Sequence, residues 1–136
     1  MPNWVEIAAN DYIKRMPKDF PIEIKELKPD LSPAKEGLKI VEALPKQSHI
    51  IALDERGKDI STMQLAQSMK EWRQAGKDIV FLIGGADGLA PEVKQKAASM
   101  MRLSSMTLPH AMARLLLVEQ LYRAYTILQG HPYHRE

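Results

Sequence analysis

Hydrophobic and polar positions along the chain alternate between a helical and an extended period. From Trp4 to Arg15, apolar residues return at Trp4, Ile7, Ala8 and Tyr12, the spacing of an amphipathic helix, and Met16-Pro17 stops it. Ile22 to Leu27 reads as a strand. Ser32 supplies an N-cap and Pro33 presets the first turn, after which Leu38, Val41 and Leu44 fall on one face of a helix ending near Pro45. His49 to Asp54 predicts the next strand. Ser61 followed by Gln64 is a capping-box pattern; Leu65, Met69 and Trp72 share a face of the helix it opens, and Gly76 is placed to end it. Asp78 to Ile83 is the clearest buried strand. Pro91 opens a helix expected to turn Val93, Ala97 and Met100 inward. Leu103 to Leu108 reads as strand or loop, and a long helix runs from near Ala111 to Gln129, with Gly130 as its stop.

This alternation predicts an α/β fold, a mainly parallel sheet with helices on both faces and a ligand site at the carboxyl ends of the strands. Two segments lie where that rule expects a site. GGADG follows the apolar run DIVFLI, and glycine there lets a ligand approach bare backbone. LSSMTLPH offers hydroxyls and main-chain amides, and its proline stiffens the entry to the long helix. Gly84, Gly85 and Gly88 do not form the GxGxxG spacing, and no Lys-Ser/Thr pair follows, so NAD and ATP readings are weak.

With 136 residues the chain fits a single domain, residues 1–136, and an oligomer is expected because so small a chain has little room for two substrate sites. The 45% hydrophobic and 26% charged fractions exclude disorder as the default. The absence of cysteine excludes a disulfide scaffold, a thiolate nucleophile and a cysteine-ligated zinc site. No apolar run approaches the roughly 18 residues of a membrane span and no signal-peptide pattern opens the chain, so the cytoplasm is the expected location. A net charge of +2 permits a polyanionic partner without requiring one.

Candidate chemistry concentrates toward the end. On the last helix Glu119 and Arg123 share a face at i,i+4, a spacing that in isolation marks an ordinary solvated pair. Leu115, Leu116, Leu121, Tyr122 and Tyr125 form a broad apolar surface suited to core or dimer contact. The terminal His131-Pro132-Tyr133-His134-Arg135-Glu136 combines imidazoles, an aromatic plane and a guanidinium, which suits stacking on a base and pairing with phosphate. His131 and His134 lack a third ligand nearby, so no metal site is expected.

Taken in order, Leu-Ile-Gly-Gly with Gly88, Leu-Ser-Ser-Met-Thr-Leu-Pro-His, the helix carrying Glu119-Gln120-Leu121-Tyr122-Arg123-Ala124 and the terminal His-Pro-Tyr-His-Arg-Glu resemble the RlmH family of the SPOUT superfamily over essentially the whole chain. The resemblance implies a trefoil-knotted methyltransferase that moves a methyl group from S-adenosylmethionine to N3 of a pseudouridine in 23S, large-subunit ribosomal RNA, within the ribosome. It implies that Leu53, Gly84, Gly85 and the stretch Ser104, Ser105, Met106, Thr107, Leu108 and Pro109 line the cofactor site. It also implies a homodimer in which the cofactor pocket of one protomer meets the tail of the other. Tyr133, His134 and Arg135 would hold RNA there, and Glu119 and Arg123 would line the same cleft. Glu119 or His134 would take the N3 proton, or a cation such as Arg135 would favour the ionised base; the sequence leaves these open. Family members usually begin with an apolar strand before the Pro-Asn/Asp-Trp segment, whereas this chain begins at Met1-Pro2-Asn3-Trp4, so either this sequence starts late or the sheet lacks its first strand and exposes an unpaired edge. The alternatives are a non-catalytic RNA-binding or dimerisation module of the same fold, or a SPOUT methyltransferase acting on another RNA.

Overall fold

The structure, a computed structural model, describes residues 3–24, 32–84 and 89–134. The chain divides into two compact units. A sheet unit comprises Lys25–Asp59 and Gly76–His110, and a helical unit comprises Met1–Ile24, Ile60–Ala75 and Ala111–Glu136.

In the sheet unit, helix α2 (Pro33–Ala43) leads to strand β1 (His49–Asp59), and strand β2 (Ile79–Ile83) is followed by the short helix α4 (Pro91–Lys96) and strand β3 (Ser99–Arg102). All three described strands are parallel, in the order β2-β1-β3. Alternate residues of the pleat point to opposite faces. Ile50, Ala52, Val80 and Leu82 share one face and cluster with Ile40, Val41 and Leu44 from the α2 side and with Leu89, Ala90, Val93 and Ala97 around α4. Ser32 caps α2, its hydroxyl accepting from the Lys35 amide, with Pro33 in the first turn as the sequence predicts. Gly37 sets how closely the two helices meet, since a Cβ there would stand 2.9 Å from Cγ2 of the fully buried Val93.

β1 runs five residues beyond its predicted end at Asp54, through a polar stretch. It pairs with β3 at Ile51–Leu53, loops out over residues 54–57, and returns so that both Leu53 and Lys58 lie opposite Met101. Asp54 holds this bulge closed: Oδ1 accepts from the Arg56 amide at 2.9 Å and Oδ2 pairs with Lys94 Nζ at 2.6 Å. The hydrogen bond from Lys94, then that from the Arg56 amide, holds the Asp54 carboxyl below its ordinary range. A depressed folded-state pKa means that this contribution is present above the ordinary carboxylate value and lost as pH falls through the folded value. Asp54→Asn should therefore lower stability near pH 7 by about 1–2 kcal/mol. The difference should close below about pH 4 in urea unfolding followed across pH. A difference that persists unchanged at pH 3 would contradict this account. Asp59, paired with Arg102 but 66% exposed, contributes little to the same titration.

The helical unit contains α1 (Asn3–Arg15), α3 (Thr62–Ala75) and α5 (His110–Leu128) apart from the first residue of α5. The capping box at α3 forms as predicted: the Ser61 hydroxyl accepts from the Gln64 amide and the Gln64 side chain accepts from the Ser61 amide. Gly76, at φ +71°, follows the helix in the left-handed region. Tyr12 of α1 meets Tyr122 of α5 with ring centroids 5.8 Å apart, and Thr62 donates to Gln120 of α5 at 2.7 Å. α5 ends in a Schellman motif. Gly130 at φ +68° donates to the Ile127 carbonyl and the His131 amide to that of Thr126, which turns the tail back sharply.

Besides the end of β1, three sequence expectations change. The buried line of α1 is Val5 and Ala9, while Trp4 and Ile7 are 59% and 62% exposed, so the apolar face is rotated from the predicted one. Residues 22–24 form no strand, and the rest of the segment predicted there, residues 25–27, lies outside the described residues. The helix opened by Pro91 ends at Lys96, and Met100 is an exposed residue of β3 rather than a buried helical one. Strand β3 thus precedes the segment expected to hold strand or loop, and Leu103 to Leu108 is loop.

Candidate functional site

Within the helical unit, four of the five residues expected to serve RNA binding and catalysis come together; the fifth, Arg135, lies outside the described residues. Glu119 is their hub. Its Oε1 accepts from Gln120 Nε2 at 2.8 Å, its Oε2 accepts from the Tyr133 hydroxyl at 2.9 Å, and Arg123 reaches Oε2 through Nε at 3.0 Å and Nη2 at 2.8 Å. The pair is no solvated surface contact, for the Glu119 and Arg123 side chains are only 14% and 25% exposed. Such a charge-assisted fork has strict geometry, so the carboxylate fixes the plane of the guanidinium. It also raises the Arg123 pKa above the ordinary value, with the hydrogen bond to Glu119 as the main cause.

The tail follows from that plane. The Tyr133 ring lies 4.8 Å from the Arg123 guanidinium carbon and meets Tyr122 edge-on with centroids 4.9 Å apart. Its hydroxyl also lies 3.3 Å from that of Tyr12. Burial, then the hydrogen bonds to Tyr12 and Glu119, push the Tyr133 hydroxyl far above its ordinary pKa, so it stays protonated and acts as a donor. His134 follows with Nδ1 3.3 Å from Arg123 Nη1, and His131 Nδ1 accepts from the Tyr133 amide at 3.1 Å. The Arg15 guanidinium carbon lies 5.3 Å from the Tyr12 ring centroid and 5.6 Å from that of Tyr122.

The sheet unit gathers most of the residues expected at a cofactor. Leu53 pairs with Ile83 on one side and Met101 on the other, which places Leu53, Gly84 and the start of the 103–109 loop along one carboxyl edge. Ser104 and Leu108 are half-buried, whereas Ser105, Met106, Thr107 and Pro109 are exposed. The Ser104 hydroxyl accepts from the Met106 amide at 2.9 Å and so folds the loop on itself. His110 Nδ1 donates to the Gly84 carbonyl at 2.7 Å, tying the entry of α5 to the end of β2. Gly85 lies outside the described residues. The described residues of this edge carry no charged side chain between Leu103 and Pro109. A sulfonium, which a basic group would repel, meets no such group in this loop.

A family model described as "Predicted SPOUT methyltransferase" matches residues 1–134. The chain belongs to the SPOUT methyltransferase family. Among its curated relatives, a protein of Polynucleobacter asymbioticus named ribosomal RNA large subunit methyltransferase H is 70% identical over 136 residues, covering 100% of this chain and 92% of that protein. One of the same name from Paraburkholderia phytofirmans is 54% identical over 144 residues, covering 99% of this chain and 92% of that protein.

In this methyltransferase, Tyr12, Thr62 and Gln120 also join the site, which residue spacing does not signal. Tyr12 reads as an ordinary apolar helix position; its one signal is a phenol that needs a polar partner wherever its ring is covered. The partner is 121 positions away. No group of three or more metal-ligating side chains occurs among the described residues, and no helix among them is long and apolar enough to cross a membrane.

Proposed function

We propose that this methyltransferase transfers the methyl group of S-adenosylmethionine to N3 of a pseudouridine in large-subunit ribosomal RNA, in the cytoplasm and as a homodimer of single SPOUT domains. The observation that carries this reading is the tail folded onto α5, where Glu119, Arg123, Tyr133 and His134 form one hydrogen-bonded constellation. A planar ring, a guanidinium and an imidazole held together suit stacking on an unpaired base and contact with its edge. The exposed Trp4 and Ile7, one turn apart on α1, supply apolar surface in keeping with a dimer.

Leu53 and the Ser104 to Pro109 loop would hold the cofactor, with Gly84 and Gly85 admitting it against main chain. S-adenosylmethionine supplies a methyl group on a positively charged sulfur that departs without needing a proton. The protein's part is alignment: it holds the base so that N3 faces the methyl, and it stabilises the charge that N3 deprotonation leaves on the ring.

Purified protein incubated with methyl-labelled cofactor and ribosomes lacking the modification should place the label on a large-subunit pseudouridine, read by nucleoside mass analysis. Label on another RNA would reassign the substrate. Saturable cofactor binding and ribosome binding with no methyl transfer to any RNA would leave a binding module.

A further inference from the structure

We propose, on the strength of the methyltransferase reading above, that His134 acts as a hydrogen-bond donor to a carbonyl oxygen beside N3 of the acceptor base and does not take the N3 proton. The ring's contact with Arg123 decides this. Arg123 Nη1 lies 3.3 Å from His134 Nδ1, and a guanidinium carries five N–H donors and no lone pair. Nδ1 therefore presents its lone pair, and the single proton of the neutral imidazole sits on Nε2. Arg123 cannot turn away to release Nδ1, because Nε and Nη2 are engaged by Glu119 and its guanidinium lies over the Tyr133 ring.

Neither imidazole nitrogen is then available as a base. Nε2 already bears a proton, and protonating Nδ1 would set two donors and two positive charges against each other across 3.3 Å. Among the described residues, the charged and titratable groups linked to the ring by contact are Arg123 of α5, Tyr133 beside it in the tail, and Glu119 and Tyr12 behind them. Tyr133 is held protonated, and both Glu119 oxygens already accept hydrogen bonds. What the cluster offers a substrate is a donor. No described residue accepts from Nε2.

That matches the chemistry of the acceptor. N3 of a uracil ring lies between two carbonyl carbons, so its deprotonation spreads negative charge onto the flanking oxygens. An N–H aimed at one of them strengthens as the charge develops, which is the differential stabilisation that lowers a barrier. The N3 proton passes to solvent water. The freed electron pair of N3 forms the new bond to the methyl carbon as the carbon–sulfur bond breaks, and that bonding pair stays on sulfur as a neutral thioether. Tyr12, through Tyr133 and Glu119, is a positioning residue that keeps Arg123, and so the ring, in place.

Two measurements test this. His134→Gln keeps an N–H donor of similar reach but provides no base, so methylation should retain about a tenth of the parent rate or more, while His134→Ala should fall roughly 100-fold. The acidic limb of kcat/KM against pH should be the same in the parent and in His134→Gln, since it reports ionisation of N3 and not of the imidazole. A Gln variant as inactive as the Ala variant, beside an active parent and with cofactor affinity intact, would overturn the proposal. Independently of activity, nitrogen-detected magnetic resonance of the labelled imidazole should show the Nε2–H tautomer at neutral pH. A proton on Nδ1 would overturn it even if the variants fail to fold. Failure of the unaltered protein to methylate any RNA would sink the methyltransferase reading itself, a result distinct from a silent Gln variant.

Discussion

Gly57→Ala should cost this protein about 3 kcal/mol or more, enough to lower its thermal midpoint by on the order of 10 °C. A Cβ at that position would stand 2.6 to 2.7 Å from the main-chain N, Cα and C of Met101, and main chain cannot swing aside as a flexible side chain does. The conflict arises because β1 leaves β3 after Leu53 and must return to the same partner residue at Lys58, bringing its backbone against that of β3 at the glycine. Against a total stability of about 5–15 kcal/mol, such a loss is severe. Gly76→Ala is the contrasting control. Nothing lies within 4 Å of its added Cβ, and the only cost is the left-handed backbone at φ +71°, about 1–2 kcal/mol. Thermal unfolding followed by circular dichroism separates the two, and a Gly57→Ala midpoint within about 2 °C of the parent would show that the bulge relaxes at little cost.

The same segment shows where the sequence is legible and where it is not. Local signals carried most of the elements: the Ser61/Gln64 box, the Ser32 cap, the glycines at 76 and 130 and the apolar run before Ile83 each act through neighbours within a few positions, and each forms as read. Asp-Glu-Arg-Gly-Lys-Asp, by contrast, has the composition of a turn. Its extended conformation comes from pairing with Met101 and Arg102, more than forty residues on, and no periodicity encodes that. β3 was hidden for a related reason. Ala97, Ala98, Ser99, Met100 and Met101 continue a helical pattern from Pro91, and only the hydrogen bond from the Ala98 amide to the Ile50 carbonyl and the ladder beyond it select strand. Of the candidate site, spacing alone gave the Glu119–Arg123 contact but valued it as a surface pair. Its further partners, Tyr133 and His134, come from a tail that the Schellman turn folds back, and Tyr12 of α1, at the far end of the sequence, meets Tyr133 in turn.

Glu119→Ala should lower methylation on the order of 1,000-fold, because one truncation releases Arg123, Tyr133 and, through Arg123, His134. It leaves a half-buried guanidinium and a phenol without their acceptor, a cost of about 1–3 kcal/mol in stability. Limited proteolysis should then cut the tail after Gly130 at enzyme concentrations that leave the parent intact. Cofactor affinity should change little, since the hydrogen-bond partners of Glu119 are Gln120, Arg123 and Tyr133, none of them a residue expected to hold the cofactor. Glu119→Gln separates anchor from base. Its amide oxygen still accepts from Tyr133 or Arg123 but binds no proton from N3, so a positioning role leaves this variant well above the Ala variant in kcat and restores the uncut tail. If Glu119 takes the N3 proton, the Gln variant is as inactive as the Ala variant while its tail stays protected. In that result the four donors converging on the carboxylate would no longer describe how it works.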